Sequence, residues 1–543
     1  MVEVVRSSFK EQYPLIAENI RKCDFIALDT EFTGLKINEQ IKSSLFDDGA
    51  ERYKKLRKTI TQITICQLGL SIFTKDQKEN RYGAKTYNFY LYPQSFGPVD
   101  ERFFCQASSL QFLCKYDFDF NKFIYEGIPH LNDHQEQMIR DHIASKAMFT
   151  GLERDLDENA IQKICSKVAD WLVNTDEDNK MVLTKNEMER IPMYVLSTEL
   201  RGRFPGIWTI INKEQKCIEI EKIAADKRQE LEISEKSDQR QQEEALLEKM
   251  LGFTRIFRLM KQLKKPLLAH NCMMDLMLIY DKFYKPLPVS YTEFKTNLHM
   301  MFPKVFDTKH IASSVRREME ETGLVQYTNL GDLYKDLESE KGQELVLHPP
   351  AIVHAEGFER YISDVLPHEA GFDAYMCGFV FLRYGHILTF KNTKSSEVIP
   401  CMFRRYLQTL ENYTNRINII RATVNHINLE GPDQESRRPE LLYVRSRMFK
   451  QKLNIDQVKL AKWFSPYGSV DVKAYGQSRA LVATSNYSCA RDILRAFKKH
   501  NTIYVTKYSV WKHSPVVRGL LWSGVLLTGS VCVLALLSGD KNS

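Results

Sequence analysis

The sequence predicts an α/β fold whose strand tips carry carboxylates, joined to a smaller α+β unit and one apolar C-terminal helix. Three observations predict it. The apolar run Phe25-Ile26-Ala27-Leu28 ends in Asp29-Thr30-Glu31, which reads as a buried strand presenting two acids on one face. Residues 436–511 follow the order strand, helix, strand, strand, helix, strand. From Gly519 to Gly539 there is no charged residue.

Residues 1–150 supply the first part of the α/β domain, with strands expected near 24–29, 59–73 and 87–92. Residues 255–432 supply the second part, including strands that end near Asp275 and Asp307 and an apolar helix after His368. A sheet assembled from both parts would bring Asp29, Glu31, Asp275 and Asp373 to one edge. Residues 151–254 read as an inserted small domain. There the alternation in Trp208-Thr-Ile-Ile and Cys217-Ile-Glu-Ile-Glu predicts a hairpin packed on helices, and the mixed charges of Lys222–Glu248 predict a solvated helix or linker.

The acids stand in matching contexts. Asp275 closes His270-Asn-Cys-Met-Met-Asp275 after an apolar stretch, and Asp373 follows His368 by five positions. Mg²⁺ prefers hard oxygen ligands, so carboxylates suit it and thiolates do not. Two such ions can stabilise the attacking and leaving oxygens of an in-line displacement at phosphorus. The attacking water then needs a proton acceptor, a role that suits a histidine titrating near neutrality. Asp29, Glu31, Asp275 and Asp373 are therefore assigned to the metals and His368 to the general base. Each acid alone has an ordinary reading as a turn residue or helix cap; their order along the chain carries the assignment.

That order, Asp-x-Glu, then Asn-x3-Asp, then His-x4-Asp, resembles the DEDD exonucleases with a histidine base. Phe32-Thr-Gly-Leu35, Gly127-Ile-Pro-His-Leu-Asn132, Phe306-Asp-Thr-Lys309 and Leu429-Glu-Gly-Pro-Asp433 are similar to the poly(A)-specific ribonuclease family, over about residues 1–435. Within it the chain resembles the tail-anchored branch that trims piRNA precursors. The resemblance implies an RNase H-like DEDD exonuclease fold and two Mg²⁺ ions, with Mn²⁺ able to substitute. It also implies 3′-to-5′ hydrolysis of single-stranded RNA with release of 5′-nucleotides. The implied partners are a PIWI protein carrying the precursor, a Tudor-type adaptor on the membrane, and a second copy of the chain. Deadenylation of mRNA and an inactive RNA-binding scaffold are the alternatives.

Other positions follow from the same resemblance. Lys309 matches a lysine that meets substrate phosphate, although a surface lysine reads the same way. Phe32, beside Glu31, is placed to stack a terminal base or to join the core. The inserted domain occupies the place of a small nucleic-acid-binding module named for an Arg-x3-His signature; here Arg190-Ile-Pro-Met-Tyr194 has tyrosine for histidine. Residues 436–511 resemble an RRM, yet Tyr443 is a lone aromatic at a base-stacking position, which points to packing or dimerisation. The basic run Arg52–Lys58 reads as a solvated helix face or a guide for RNA.

Bulk properties are compatible with this reading. A net charge of +7 and pI near 8.6 permit a phosphate-bearing partner without demanding one. Eleven cysteines without a Cys-x-x-Cys pair point to free thiols in a reducing compartment, not to a zinc site. The uncharged run 519–539 is long enough to span a bilayer, at about 1.5 Å per residue against about 30 Å of hydrocarbon. Lys507, Lys512 and Arg518 before it place the rest of the chain in the cytosol and favour the mitochondrial outer membrane over the endoplasmic reticulum.

Overall fold

The computed structural model describes residues 3–539 apart from 36–41, 145–157, 174–178, 189–190, 192, 213–214, 322–327, 364–365, 393–401, 437, 448–455 and 477. Its centre is a mixed sheet. From one side to the other run Arg81–Tyr90, Ile65–Lys75, Phe25–Phe32, Leu267–Ala269 and Val305–Asp307; Glu3–Val4 and Ala351–His354 both pair with the outer side of Arg81–Tyr90. Each of the first three long strands is antiparallel to its neighbour, whereas Leu267–Ala269 and Val305–Asp307 run parallel to Phe25–Phe32. The sheet is thus assembled from both parts of the sequence, as expected.

Helices cover both faces. Arg6–Lys22, Thr254–Leu263 and Met273–Ile279 pack on one face with Ile26, Leu28, Leu70 and Phe89. Ala370–Asn392 and Thr308–Glu320 pack on the other with Phe25, Ala27 and Phe73. A strand buried on both sides is apolar throughout, so Phe25–Leu28 is a continuous apolar run.

Two expectations need correction. The strand expected at 59–73 begins at Ile65, because Asp48 caps a helix that runs from Gly49 to Ile60. The basic run on that helix is only partly solvated. Arg52 is 5% exposed, pairs with Asp47 at 3.1 Å and donates to the carbonyls of Ile420 and Arg421 at 2.7 and 2.6 Å. Lys55 joins Asp47 at 2.6 Å, while Lys54 and Lys58 stay exposed.

The insertion forms a three-stranded sheet, Lys180–Leu183, Cys217–Lys222 and Ile207–Asn212, with the expected hairpin, and shares a core with Glu158–Val173 and Met193–Arg203. Arg190 lies outside the described residues, and Tyr194 is exposed. The charged run forms the helix Ala225–Leu251, whose last turn packs Leu247, Met250 and Leu251 against Val99, Leu131 and Ile139.

The C-terminal unit is a four-stranded antiparallel sheet in the order Val470–Ala474, Arg479–Thr484, Leu442–Ser446, Ile503–Lys507, backed by Gln457–Phe464 and Tyr487–Ala496. Asp471 fastens it to the first unit. Its carboxylate accepts from Leu45 N at 2.6 Å, Ser44 Oγ at 3.3 Å and Arg421 at 2.6 Å. Arg438 adds bonds to the carbonyls of Ala422 and Ser485. Asp471→Ala is expected to lower stability by about 1–3 kcal/mol, since it strands a backbone donor and a guanidinium. Thermal unfolding checks this; an unchanged midpoint would mean the clasp contributes nothing.

The aromatic Tyr443 is not open to a base. It is 5% exposed and stacks on His513 at 4.2 Å, with Tyr475 edge-on at 6.4 Å. The helix Pro515–Gly539 follows. Its stretch Pro515–Val533 is, among the described residues, the one helix long and apolar enough to cross a membrane, and none of that stretch is buried.

Candidate active site

Strand geometry brings the first two acids together, since Asp29 and Glu31 are alternate residues of one strand. The neighbouring strand pairs only with Ile26 and Ala27, so the Asp29–Glu31 tip projects past it. Into that space turns the chain after Ala269, through Asn271 at φ +59°, and the helix Met273–Ile279 places Asp275 against the tip. Thr30 Oγ1 donates to Asp275 Oδ1 at 2.5 Å.

Asp307 holds this turn and was not assigned a role from sequence. Fully buried, it accepts from the backbone N–H of Asn271 (2.8 Å), Cys272 (3.3 Å), Lys309 (3.0 Å), His310 (3.3 Å) and Asn418 (2.9 Å). The local signal is its place as N-cap of the helix Thr308–Glu320.

The other half of the site comes from the helix Ala370–Asn392, with Asp373 in its first turn. Three residues of the sheet seat its N-terminus. Asp29, Gly69 and Asn88 lie in register across three strands, and Gln67 lies opposite Glu31. Gln67 Oε1 accepts from Ala370 N at 3.0 Å and Asn88 Oδ1 from Gly371 N at 2.6 Å, satisfying donors that a helix start leaves open. A Cβ on Gly69 would lie 1.9 Å from the Ala370 oxygen. Only glycine lets the helix approach this closely. Neither the amides nor the glycine carries a signal in the sequence.

His368 precedes this helix in the left-handed region, at φ +67°, and its N–H donates to Asp373 Oδ1 at 3.4 Å. Its ring packs on Tyr116 at 4.2 Å and Phe112 at 4.9 Å between centroids. Glu31, His368 and Asp373 each offer an atom of metal-ligand type, all within 4.8 Å of one another.

Electrostatics mark the cluster as needing a counter-charge. Burial, and then the charges of Asp373, Asp275 and Glu31, push the Asp29 carboxyl well above the usual range. Glu31 is raised by burial and by Asp373 and Asp275. Burial lifts Asp275 to about 6 against the Thr30 hydrogen bond, and Asp373 to about 7 against the His368 N–H. Burial, and then Lys115, lower His368, which favours its neutral ring. Hard oxygens that repel one another in a buried cluster fit divalent cations.

The two remaining candidates are placed less directly. Lys309 is half-buried at the start of its helix, with its ammonium lowered by burial. Phe32 packs its half-buried ring against the large core cluster, after a register shift between Glu31 and Phe32.

Fold and clustered carboxylates together are compatible with the nuclease class. The CAF1 family ribonuclease profile matches residues 4–381, and the chain belongs to that family. It is 35% identical over 530 residues to poly(A)-specific ribonuclease PNLDC1 of Mus musculus, covering 96% of each chain. It is 34% identical over 537 residues to the pre-piRNA 3'-exonuclease trimmer of Bombyx mori, covering 98% of each. To poly(A)-specific ribonuclease PARN of Homo sapiens it is 30% identical over 513 residues, covering 89% of this chain and 76% of that one.

Proposed function

We propose that this chain is a membrane-anchored, Mg²⁺-dependent 3′-to-5′ exoribonuclease that trims single-stranded RNA, with PIWI-bound piRNA precursors as its substrate. The observation that carries this is the gathering of four carboxylates, Asp275 buried and the other three half-buried, beside a histidine. In this reading Asp29, Glu31, Asp275 and Asp373 hold two Mg²⁺ ions, and Mn²⁺ can replace them. The ions would supply charge stabilisation for the attacking and leaving oxygens. His368 takes the proton of the attacking water, and its aromatic neighbours Tyr116 and Phe112 keep its ring in place. Lys309 meets substrate phosphate. Phe32 borders the terminal base from its seat in the core.

The C-terminal helix serves as the anchor, with the nuclease in the cytosol, and its basic flank favours the mitochondrial outer membrane over the endoplasmic reticulum. Residues 436–511 form a degenerate RRM-like unit that packs instead of binding RNA, because His513 and Tyr475 cover Tyr443. The inserted domain serves as scaffold. Capture of substrate then falls to partners: the PIWI protein itself, a Tudor-type adaptor on the same membrane, and a second copy of the chain.

A second reading is deadenylation of mRNA, which the names of the PNLDC1 and PARN relatives favour. An inactive scaffold is disfavoured, since all five catalytic candidates are present and burial, then the charges of its neighbouring acids, raise the Asp29 carboxyl.

The test incubates the protein with single-stranded RNA of poly(A) and of mixed sequence, each with a free 3′ end. Mg²⁺-dependent shortening from that end, lost on chelation and in Glu31→Ala, is the expected result. Equal rates on both RNAs support trimming, and a strong preference for poly(A) supports deadenylation. No shortening by folded protein, even with its partners added, would refute the enzyme.

A further inference from the structure

The C-terminal unit carries a groove of about 590 Å³ with an apolar floor and a cationic rim. Leu442 and Leu494 contribute to the floor; Arg491, Arg495, Lys498 and Lys507 line the rim. Lys507 is partnered by Glu440 at 2.9 Å and Arg491 by Asp492 at 3.4 Å. Arg495 and Lys498 have no acidic partner among the described residues.

The groove's position decides what it meets. Lys507 ends the last strand, and eight residues later Pro515 begins the apolar helix. Fully extended, eight residues reach no more than about 29 Å. The path here is shorter still, because residues 510–513 form a helical turn and His513 stacks on Tyr443 of the sheet. One residue, Ser514, therefore separates His513, held on this unit, from the base of the exposed helix. If that helix enters a bilayer, this unit lies against the headgroups. Cations at such a surface attract anionic lipid, while their aliphatic stems and a leucine floor tolerate the interfacial region.

We propose that the groove formed by Arg491, Arg495, Lys498 and Lys507 is a docking site for anionic phospholipid headgroups of the membrane that receives the C-terminal helix. The site would fix how the nuclease stands on that membrane, because Asp471 and Arg438 clasp this unit to the nuclease. The proposal rests on the anchor reading given above.

The experiment reconstitutes the full chain into nanodiscs of phosphatidylcholine, alone or mixed with phosphatidylserine, and follows lysine labelling by an amine-reactive reagent with mass spectrometry. Lys498 and Lys507 are expected to label several-fold more slowly in the anionic discs, with protection relieved by salt. Exposed Lys10 should label equally in both. Arg491→Gln/Arg495→Gln should reduce the protection while leaving RNA shortening and the thermal midpoint unchanged. Incorporation into both discs with equal labelling of Lys498 and Lys507 would overturn this proposal and leave the anchor standing. Failure to enter either disc would overturn the anchor and the proposal with it. Protection by single-stranded RNA in neutral discs, without an effect of anionic lipid, would reassign the groove to nucleic acid and overturn the lipid site.

Discussion

Asp29→Asn is expected to lower RNA shortening by about 10³-fold and, in the same protein, to raise the thermal midpoint measured without divalent metal. Both effects have one cause. Asp29 is half-buried among three other acids, and folding without a counter-charge forces these groups together. The neutral amide keeps the shape of the side chain and removes both the repulsion and a ligand. Added Mg²⁺ should stabilise the natural protein by binding only its folded state, and should stabilise the variant less. A variant whose metal-free midpoint is unchanged or lowered would show that the four carboxylates do not strain one another.

The same electrostatics fix a pH dependence. An unfolded aspartate titrates near its ordinary 3.8, whereas folded Asp275 and Asp373 titrate near 6 and 7. The folded state therefore binds more protons in that interval, and metal-free stability must fall as pH rises from about 4 to about 7. Below about 4 both states are protonated and this contribution is fully present. Saturating Mg²⁺ should flatten the profile, and chemical denaturation across that range reads it directly.

Gly69→Ala is the second large effect. Its methyl would sit 1.9 Å from a backbone oxygen, and backbone cannot swing aside as a flexible side chain can. The helix start must move away from the sheet, carrying Asp373 and His368 away from Asp29 and Glu31. A displacement of about 1 Å costs about 10² in rate when reacting groups must align. Activity should fall by that order, with a smaller loss in apparent Mg²⁺ affinity, while circular dichroism stays native. Retained full activity would mean that the helix can be seated in more than one way.

What the sequence made legible, and what it hid, follows the range of each signal. Asp29 and Glu31 were readable because strand alternation fixes their side, and His368 and Asp373 because a short spacing at a helix start fixes theirs. Gly69, Gln67 and Asn88 were not. Each lies inside an ordinary strand, and its purpose is set by a helix some 280 residues further along the chain, whose approach no local pattern announces. Arg52 misled for the same reason. A run of basic residues looks solvated until Asp47 and two distant carbonyls are found around one of its members. The strand expected from Thr59 failed differently: helix capping by Asp48 outcompeted the apolar alternation up to Ile60.

The split origin of the sheet has a consequence for the ribosome. Asp29 and Glu31 are synthesised early, but Asp373 and the helix that carries it arrive some 340 residues later, after the whole insertion. Pairing across so long a loop is entropically delayed, and domains complete themselves as units. A nascent chain that stops short of Asp373 lacks at least one of the four clustered carboxylates. The clustered site is therefore complete only once both parts of the split sheet and the helix after it have been made.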